Sequence, residues 1–240
     1  MKVLLTRPEG RNQDMIEQLE QYQVAHLVTP LLAVVASQSA QPIGFAEADK
    51  LIFVSTNAVK FAALALNHPF PKQSQYFAVG QATAQALISQ GLTPYCAPEN
   101  SQDSEGLLAL PELKDVNNQN IIICRGSGGR ETIAQELTLK GANVSYWNVY
   151  KRQLPSLDYS KLYQQWIHFG IDTIVLTSGE VLTNLISIIP KESFAWLNSC
   201  HIIVPSNRVE LQANALGLTK VTNANGANTH AVIAALGLSA

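Results

Sequence analysis

The chain has 240 residues, of which 47% are apolar and 14% charged; that is core material for one large or two medium domains and too apolar for general disorder. Sixteen Lys and Arg against eighteen Asp and Glu give a formal net charge of −2 with no run of like charge, which excludes a basic duplex-binding surface. The longest apolar runs, such as residues 31–36 and 231–236, fall far short of the ~20 residues that cross a bilayer, and the opening residues lack the apolar core of a secretion signal.

Taken in order, residues 3–5 are consecutively apolar, as in a strand buried on both faces, and residues 13–21 place apolar side chains at helical spacing. Strand followed by helix recurs at 51–54 and 58–66, 77–79 and 83–90, and 121–124 and 132–140. It returns at 173–176 and 181–189, and at 202–204 and 209–216, with helices that often end near Gly or Pro. Segments 31–36 and 149–154 read as extended connectors, leading into the looser stretches 38–47 and 155–161. Alternation of this kind builds an α/β fold with parallel sheets, right-handed crossovers and helices on the sheet faces.

The pattern is used twice. Val3-Leu4-Leu5-Thr6-Arg7 through Arg11 resembles Ile122-Ile123-Cys124-Arg125 through Arg130. Phe53-Val54-Ser55-Thr56-Asn57-Ala58-Val59 resembles Val175-Leu176-Thr177-Ser178-Gly179-Glu180-Val181, and Phe77-Ala78-Val79-Gly80 resembles Ile202-Ile203-Val204-Pro205. Matched positions lie about 120 residues apart and keep their order, so two similar domains are expected. Two consecutive halves, or a swapped layout in which the first strand–helix unit completes the sheet of the C-terminal half, both satisfy the pattern.

Chemistry-bearing residues gather at strand-to-helix turns, the edge of a parallel sheet where ligands bind. Ser55, Thr56, Thr177 and Ser178 stand where helices begin; each can cap a helix, worth ~1 kcal/mol, or take part in a shared anion-binding edge. Gly80-Gln81-Ala82-Thr83-Ala84 is either a tight turn with Thr83 as a local cap or a close backbone approach to a ligand. Asp103 or Ser104 caps a helix opening Ser104-Glu105-Gly106-Leu107. The loop Arg125-Gly126-Ser127-Gly128-Gly129-Arg130 is glycine-rich without being a dinucleotide or P-loop motif, and a general anion site suits it better. Arg7, Arg11, Arg125 and Arg130 hold matched positions in both repeats, against the helix dipole, which favours an acidic ligand. Tyr150 is a packing tyrosine or a proton donor to a leaving group.

Cys96, Cys124 and Cys200 include no C-x-x-C pair and predict no disulfide, consistent with a reducing cytoplasm; the five histidines include no H-x-x-x-H and predict no metal site. No nucleophile–base–orienter set is legible. The residues alone leave two classes: an enzyme that works by shaping a small anion in an interdomain cleft, and a two-lobed sensor that binds one.

The ordered set Leu4-Leu5-Thr6-Arg7-Pro8, Phe53-Val54-Ser55-Thr56-Asn57, Val79-Gly80-Gln81-Ala82-Thr83, Ser104-Glu105-Gly106-Leu107, Arg125 through Arg130, Val149-Tyr150-Lys151-Arg152 and Leu176-Thr177-Ser178-Gly179 resembles the uroporphyrinogen-III synthase family over the full length. The resemblance implies two flavodoxin-like α/β domains, residues 1–32 with 155–240 and residues 33–154, joined by a two-stranded connector. The N-terminal unit then completes the C-terminal domain. It further implies cyclisation of hydroxymethylbilane to uroporphyrinogen III with ring D inverted and water released, without metal or cofactor. Tyr150 matches the tyrosine that assists departure of the hydroxyl; Arg7, Ser55, Thr56, Thr83, Ser104, Arg125, Arg130, Thr177 and Ser178 are the expected substrate-binding positions. Pro205-Ser206-Asn207-Arg208 departs from the family's glycine-bearing turn, and Pro205 has no amide proton to offer there. The implied partner is an anionic linear tetrapyrrole, with transient contact to the enzyme that supplies it. No nucleic acid or membrane is involved, and a cytoplasmic monomer is the expectation.

Overall fold

The computed structural model describes residues 1–66 and 68–238. The chain opens with β1 (Lys2–Leu5), α1 (Gln13–Gln21), β2 (Ala25–Val28) and β3 (Ala33–Ala36). It continues through β4 (Lys50–Phe53), α2 (Thr56–Ala65), β5 (Gln75–Ala78), α3 (Gln81–Ile88), β6 (Pro94–Cys96) and α4 (Ser104–Leu108). Next come β7 (Asn120–Gly126), α5 (Thr132–Leu139), β8 (Asn143–Gln153), α6 (Tyr159–Phe169), β9 (Thr173–Val175), α7 (Gly179–Ile188) and α8 (Phe194–Ser199). β10 (His201–Val204), α9 (Asn207–Ala215), β11 (Val221–Asn223) and α10 (Thr229–Ala235) close it. These elements form two compact units, Met1–Ala33 with Gln153–Ala240, and Val34–Arg152.

The first unit holds a five-stranded sheet ordered β2-β1-β9-β10-β11, parallel throughout, with Leu4 opposite Ile174 and Ile202 opposite the same residue. Alternate residues of each strand enter opposite layers. Leu4, Ile174 and Ile202 join one apolar cluster, while Val3, Leu5, Val175 and Ile203 join another. That two-sided burial is why these strands are apolar on consecutive residues, each large side chain contributing roughly 1.5–3 kcal/mol.

The second unit has six strands ordered β3-β8-β7-β4-β5-β6, with β8 through β6 parallel, and the same division of faces. Leu51, Phe53, Ile122 and Cys124 lie on one side, and Ile52, Phe77, Ile121 and Ile123 on the other. The duplication is visible in the strand order: β1–α1–β2 corresponds to β7–α5–β8, and β4 through β6 correspond to β9 through β11. Each sheet thus joins two strands of one repeat to three of the other, with β3 added at the edge of the second, so the N-terminal strand–helix–strand completes the sheet of the C-terminal segment.

The short strands β2, β6 and β11 were not expected, because their half-exposed edges carry no continuous apolar run. The stretch read as a loose connector from residue 155 is a helix from Tyr159. Asp158 accepts the Lys161 amide at 3.0 Å as its cap, and Gly170, at φ +81°, ends it in the left-handed conformation.

Candidate active site

In the second unit a cleft of about 430 Å³ opens at the ends of β4, β5 and β7, where α2, α4 and α5 begin, beside the last residues of β8. It is lined by Ser55, Ser104, Arg125, Arg130 and Tyr150 among the expected positions, together with Asp103 and Tyr146, which were not expected to line a site. Thr56 and Thr83 do not line it. Thr56 is the first residue of α2, and Thr83 is 5% exposed inside α3.

Tyr150 reaches its place through an irregularity. β7 and β8 pair in register from Asn120 opposite Asn143 to Arg125 opposite Asn148, and then Gly126 stands opposite Tyr150. The extra residue in β8 is a bulge, and it reverses the alternation of faces beyond it. Without it Tyr150 would share the face of Tyr146; with it the ring joins the cluster of Trp147, Val149 and Cys124, 5.9 Å from the Phe61 ring. Gly126 makes room. A Cβ there would lie 2.5 Å from Cε2 of the Tyr150 ring. The phenol oxygen, at the end of a side chain 6% exposed, is 3.1 Å from Ser55 Oγ. Ser55 is the N-cap of α2 and accepts the Ala58 amide at 3.1 Å.

Arg125 is 5% exposed, and its guanidinium is turned to its own loop. Nε donates to the Gly126 carbonyl at 3.2 Å and Nη1 to the Arg130 carbonyl at 3.2 Å, while Nη2 donates to the Gly128 carbonyl. Its Cζ lies 4.7 Å from the Tyr146 ring centroid, and Glu131 Oε1 stands 3.9 Å from Nη1. Gly128 (φ +77°) and Gly129 (φ +108°) let the loop fold back onto it. Arg125 therefore shapes the loop that presents exposed Arg130. Replacing it by Met keeps an apolar stem but leaves three carbonyls without their donor, an expected loss of ~1.5–3 kcal/mol. Faster amide exchange over residues 127–130 checks it, and unchanged protection would show that the loop holds itself.

Beside the loop, Asp103 caps α4 by accepting the Gly106 amide at 2.8 Å, which leaves Ser104 as the first helical residue. That amide, then the Ser101 hydroxyl, holds the Asp103 carboxyl below the ordinary carboxylate value. The signal in the sequence was the Ser-x-Asp-Ser-Glu run, where either residue could serve as cap.

The first unit carries the counterpart edge, a hollow of about 490 Å³ lined by Arg7, Arg11 and Thr177 with Gly10 and Asp14. Arg7 Nη1 donates to the Arg11 carbonyl at 3.4 Å and Nη2 to the Ala227 carbonyl at 2.7 Å. Burial lowers the Arg7 pKa, and Asp14 opposes the shift. In both repeats the first arginine thus bonds the carbonyl of the second, which explains the matched pairs. Ser178 caps α7 through the Val181 amide at 3.2 Å, with φ −165° and ψ 164° against −164° and 161° at Ser55. After β2, however, the first unit has Thr29-Pro30-Leu31-Leu32 and no phenol, so the proton-donating candidate exists in one unit alone. Pro205 precedes Ser206, the N-cap of α9.

A family model described as uroporphyrinogen-III synthase HemD matches residues 13–234. Uroporphyrinogen-III synthase of Salmonella typhimurium is 32% identical over 245 aligned positions, covering 98% of this chain and 100% of the relative; that of Escherichia coli gives the same figures. The chain belongs to the uroporphyrinogen-III synthase family. Solved family structures agree on the fold. Uroporphyrinogen-III synthetase from Helicobacter pylori has a TM-score of 0.63 at 16% identity, covering 99% of each chain. A mutant synthase from Thermus thermophilus has a TM-score of 0.58 at 16% identity over 100% of each. As a uroporphyrinogen-III synthase family member, the chain is a cyclising lyase of tetrapyrrole synthesis acting on a tetrapyrrole substrate. Among the described residues no helix is long and apolar enough to cross a membrane, and no group of three His, Cys, Asp or Glu is placed to hold a metal.

Proposed function

We propose that the protein closes hydroxymethylbilane to uroporphyrinogen III with ring D inverted, and that Tyr150 protonates the departing hydroxyl. The observation that carries the assignment is the phenol fixed at the cleft wall by Ser55, 3.1 Å away, on a ring with no room to swing over Gly126. The C–O bond breaks as the phenolic proton passes to oxygen, releasing water and leaving an azafulvene cation conjugated with its pyrrole. Attack by the substituted carbon of ring D forms a spiro intermediate, which reopens and recloses inverted. The proton lost when the last pyrrole regains aromaticity returns to the phenolate. Beyond this transfer the work is positioning, since the unassisted cation closes without inversion.

Arg130, Ser104 and the loop held by Arg125 are suited to substrate carboxylates in the second unit, as are Arg7 and Thr177 in the first, with Ser178 next to Thr177 at the start of α7. Thr56 and Thr83 act by shaping the helix starts from within. The net charge of −2 makes this attraction local. Residues 1–32 with 155–240, and residues 33–154, serve as the two working domains of a cytoplasmic monomer that uses no cofactor and meets the enzyme supplying its substrate transiently.

The test supplies hydroxymethylbilane, oxidises the product and resolves type I from type III porphyrin. An isomer ratio equal to that in buffer overturns the reading. Tyr150→Phe should lower kcat about 10²-fold with type III still the product, since general acid assistance is worth at least that much; unchanged kcat removes the proton-donor role.

A further inference from the structure

The least explained feature of the cleft is that one hydroxyl serves two elements. Ser55 Oγ accepts from the Ala58 amide at 3.1 Å and also lies 3.1 Å from the Tyr150 oxygen. We infer that Ser55 is a positioning residue, whose proton is given to the Tyr150 oxygen so that the phenolic O–H points into the cleft. The inference rests on Tyr150 being the proton donor.

The direction follows from the helix end that Ser55 caps. The Ala58 amide can only donate, so it occupies acceptor capacity on Oγ. Oγ sits at the positive end of the ten-residue helix α2, which holds the oxygen lone pairs toward the helix amides and turns the hydroxyl hydrogen away from them. The Ser55 proton therefore goes to the Tyr150 oxygen, 3.1 Å away. A phenol keeps its own proton near the ring plane, on either side of the C–O bond. With one side taken by the incoming Ser55 bond, the other is left for the Tyr150 proton. Phe61 at 5.9 Å and Gly126 beneath the ring oppose any turning. Were the bond reversed, the phenolic proton would be spent on Ser55 and the cleft would meet a serine in place of the stronger acid.

Ser55→Gly separates this role from capping, because glycine is nearly as good an N-cap as serine and has no hydroxyl. The variants Ser55→Gly, Ser55→Thr, Tyr150→Phe and Ser55→Gly/Tyr150→Phe are to be compared for kcat, KM, porphyrin isomer ratio and melting temperature with hydroxymethylbilane as substrate. Ser55→Gly is expected to lower kcat about tenfold, the equivalent of one hydrogen bond, with KM and the melting temperature little changed. Ser55→Thr restores it to near the parent, and the double variant is no slower than Tyr150→Phe.

Three results overturn the positioning role: an unchanged kcat in Ser55→Gly, a rise confined to KM, or losses that multiply in the double variant. A normal kcat in Tyr150→Phe overturns it too and is read separately, since it strikes the proton-donor assignment itself. An isomer ratio equal to that in buffer for the parent protein strikes the activity.

Discussion

Gly126→Ala is expected to reduce kcat at least as far as Tyr150→Phe, in a protein that still folds. The added methyl would sit 2.5 Å from Cε2, 2.7 Å from Cζ and 3.0 Å from Cδ2 of Tyr150, distances that carbon atoms do not hold. The contact is with the middle of a ring, whose retreat is limited by the cluster containing Phe53, Ala58 and Trp147. Either the ring tips, breaking its bond to Ser55, or the bulge between Arg125 and Gly126 opens. Both outcomes move the phenol, and general acid assistance of about 10²-fold goes with it. Overpacking of this kind costs ~1–3 kcal/mol of stability. The control is to add Gly126→Ala to Tyr150→Ala, where the ring is gone. There the second substitution should cost under ~0.5 kcal/mol, and the non-additivity measures the clash. Equal costs in both backgrounds, by denaturant titration, would locate the effect in the loop instead.

The largest stability effect is expected at Trp166→Ala, a loss of ~3–5 kcal/mol. Trp166 is 0% exposed in α6, stacks on Trp196 at 6.4 Å between centroids, and donates its indole N–H to Thr29 Oγ1 at 3.0 Å. Thr29 follows β2, so this one side chain ties the N-terminal segment to a helix 137 positions along the chain. Truncation removes the stack, opens a cavity and leaves Thr29 without its donor. The loss is a large share of the 5–15 kcal/mol typical of a domain. Trp166→Phe keeps most of the ring and should cost roughly the ~1–3 kcal/mol of the unpaired hydroxyl. Urea titration followed by far-ultraviolet dichroism checks both, and a loss under ~1 kcal/mol for the alanine would mean that the site collapses around the gap.

Much of the fold was legible because the central strands are buried on both faces. Val3-Leu4-Leu5, Leu51-Ile52-Phe53 and Ile121-Ile122-Ile123 feed two layers at once, and water is excluded from every side chain. The edge strands carried no such mark. His26 and Leu27 are half-buried, as are Val221 through Asn223, and half-burial leaves mixed composition. For the site, matched arginines and helix-start hydroxyls were visible as a pattern, but their division of labour was not. Arg125 and Arg130 read alike in the sequence, yet one is spent on loop carbonyls and the other is exposed.

By itself the sequence determined the alternation of the central strands with their helices, the twofold use of one unit, and the family. The first two follow from local periodicity and repetition along the chain, and the family from its resemblance in an ordered set of short motifs. The tertiary structure decided that β1, paired with β2 on one edge, takes β9 on the other rather than β4, because parallel strands are joined through space by bonds that no local pattern encodes. It also decided the face on which Tyr150 lies. Strand side chains alternate with a period of two, so one extra residue in β8 carries the phenol from the side of Tyr146 to the side of Ser55.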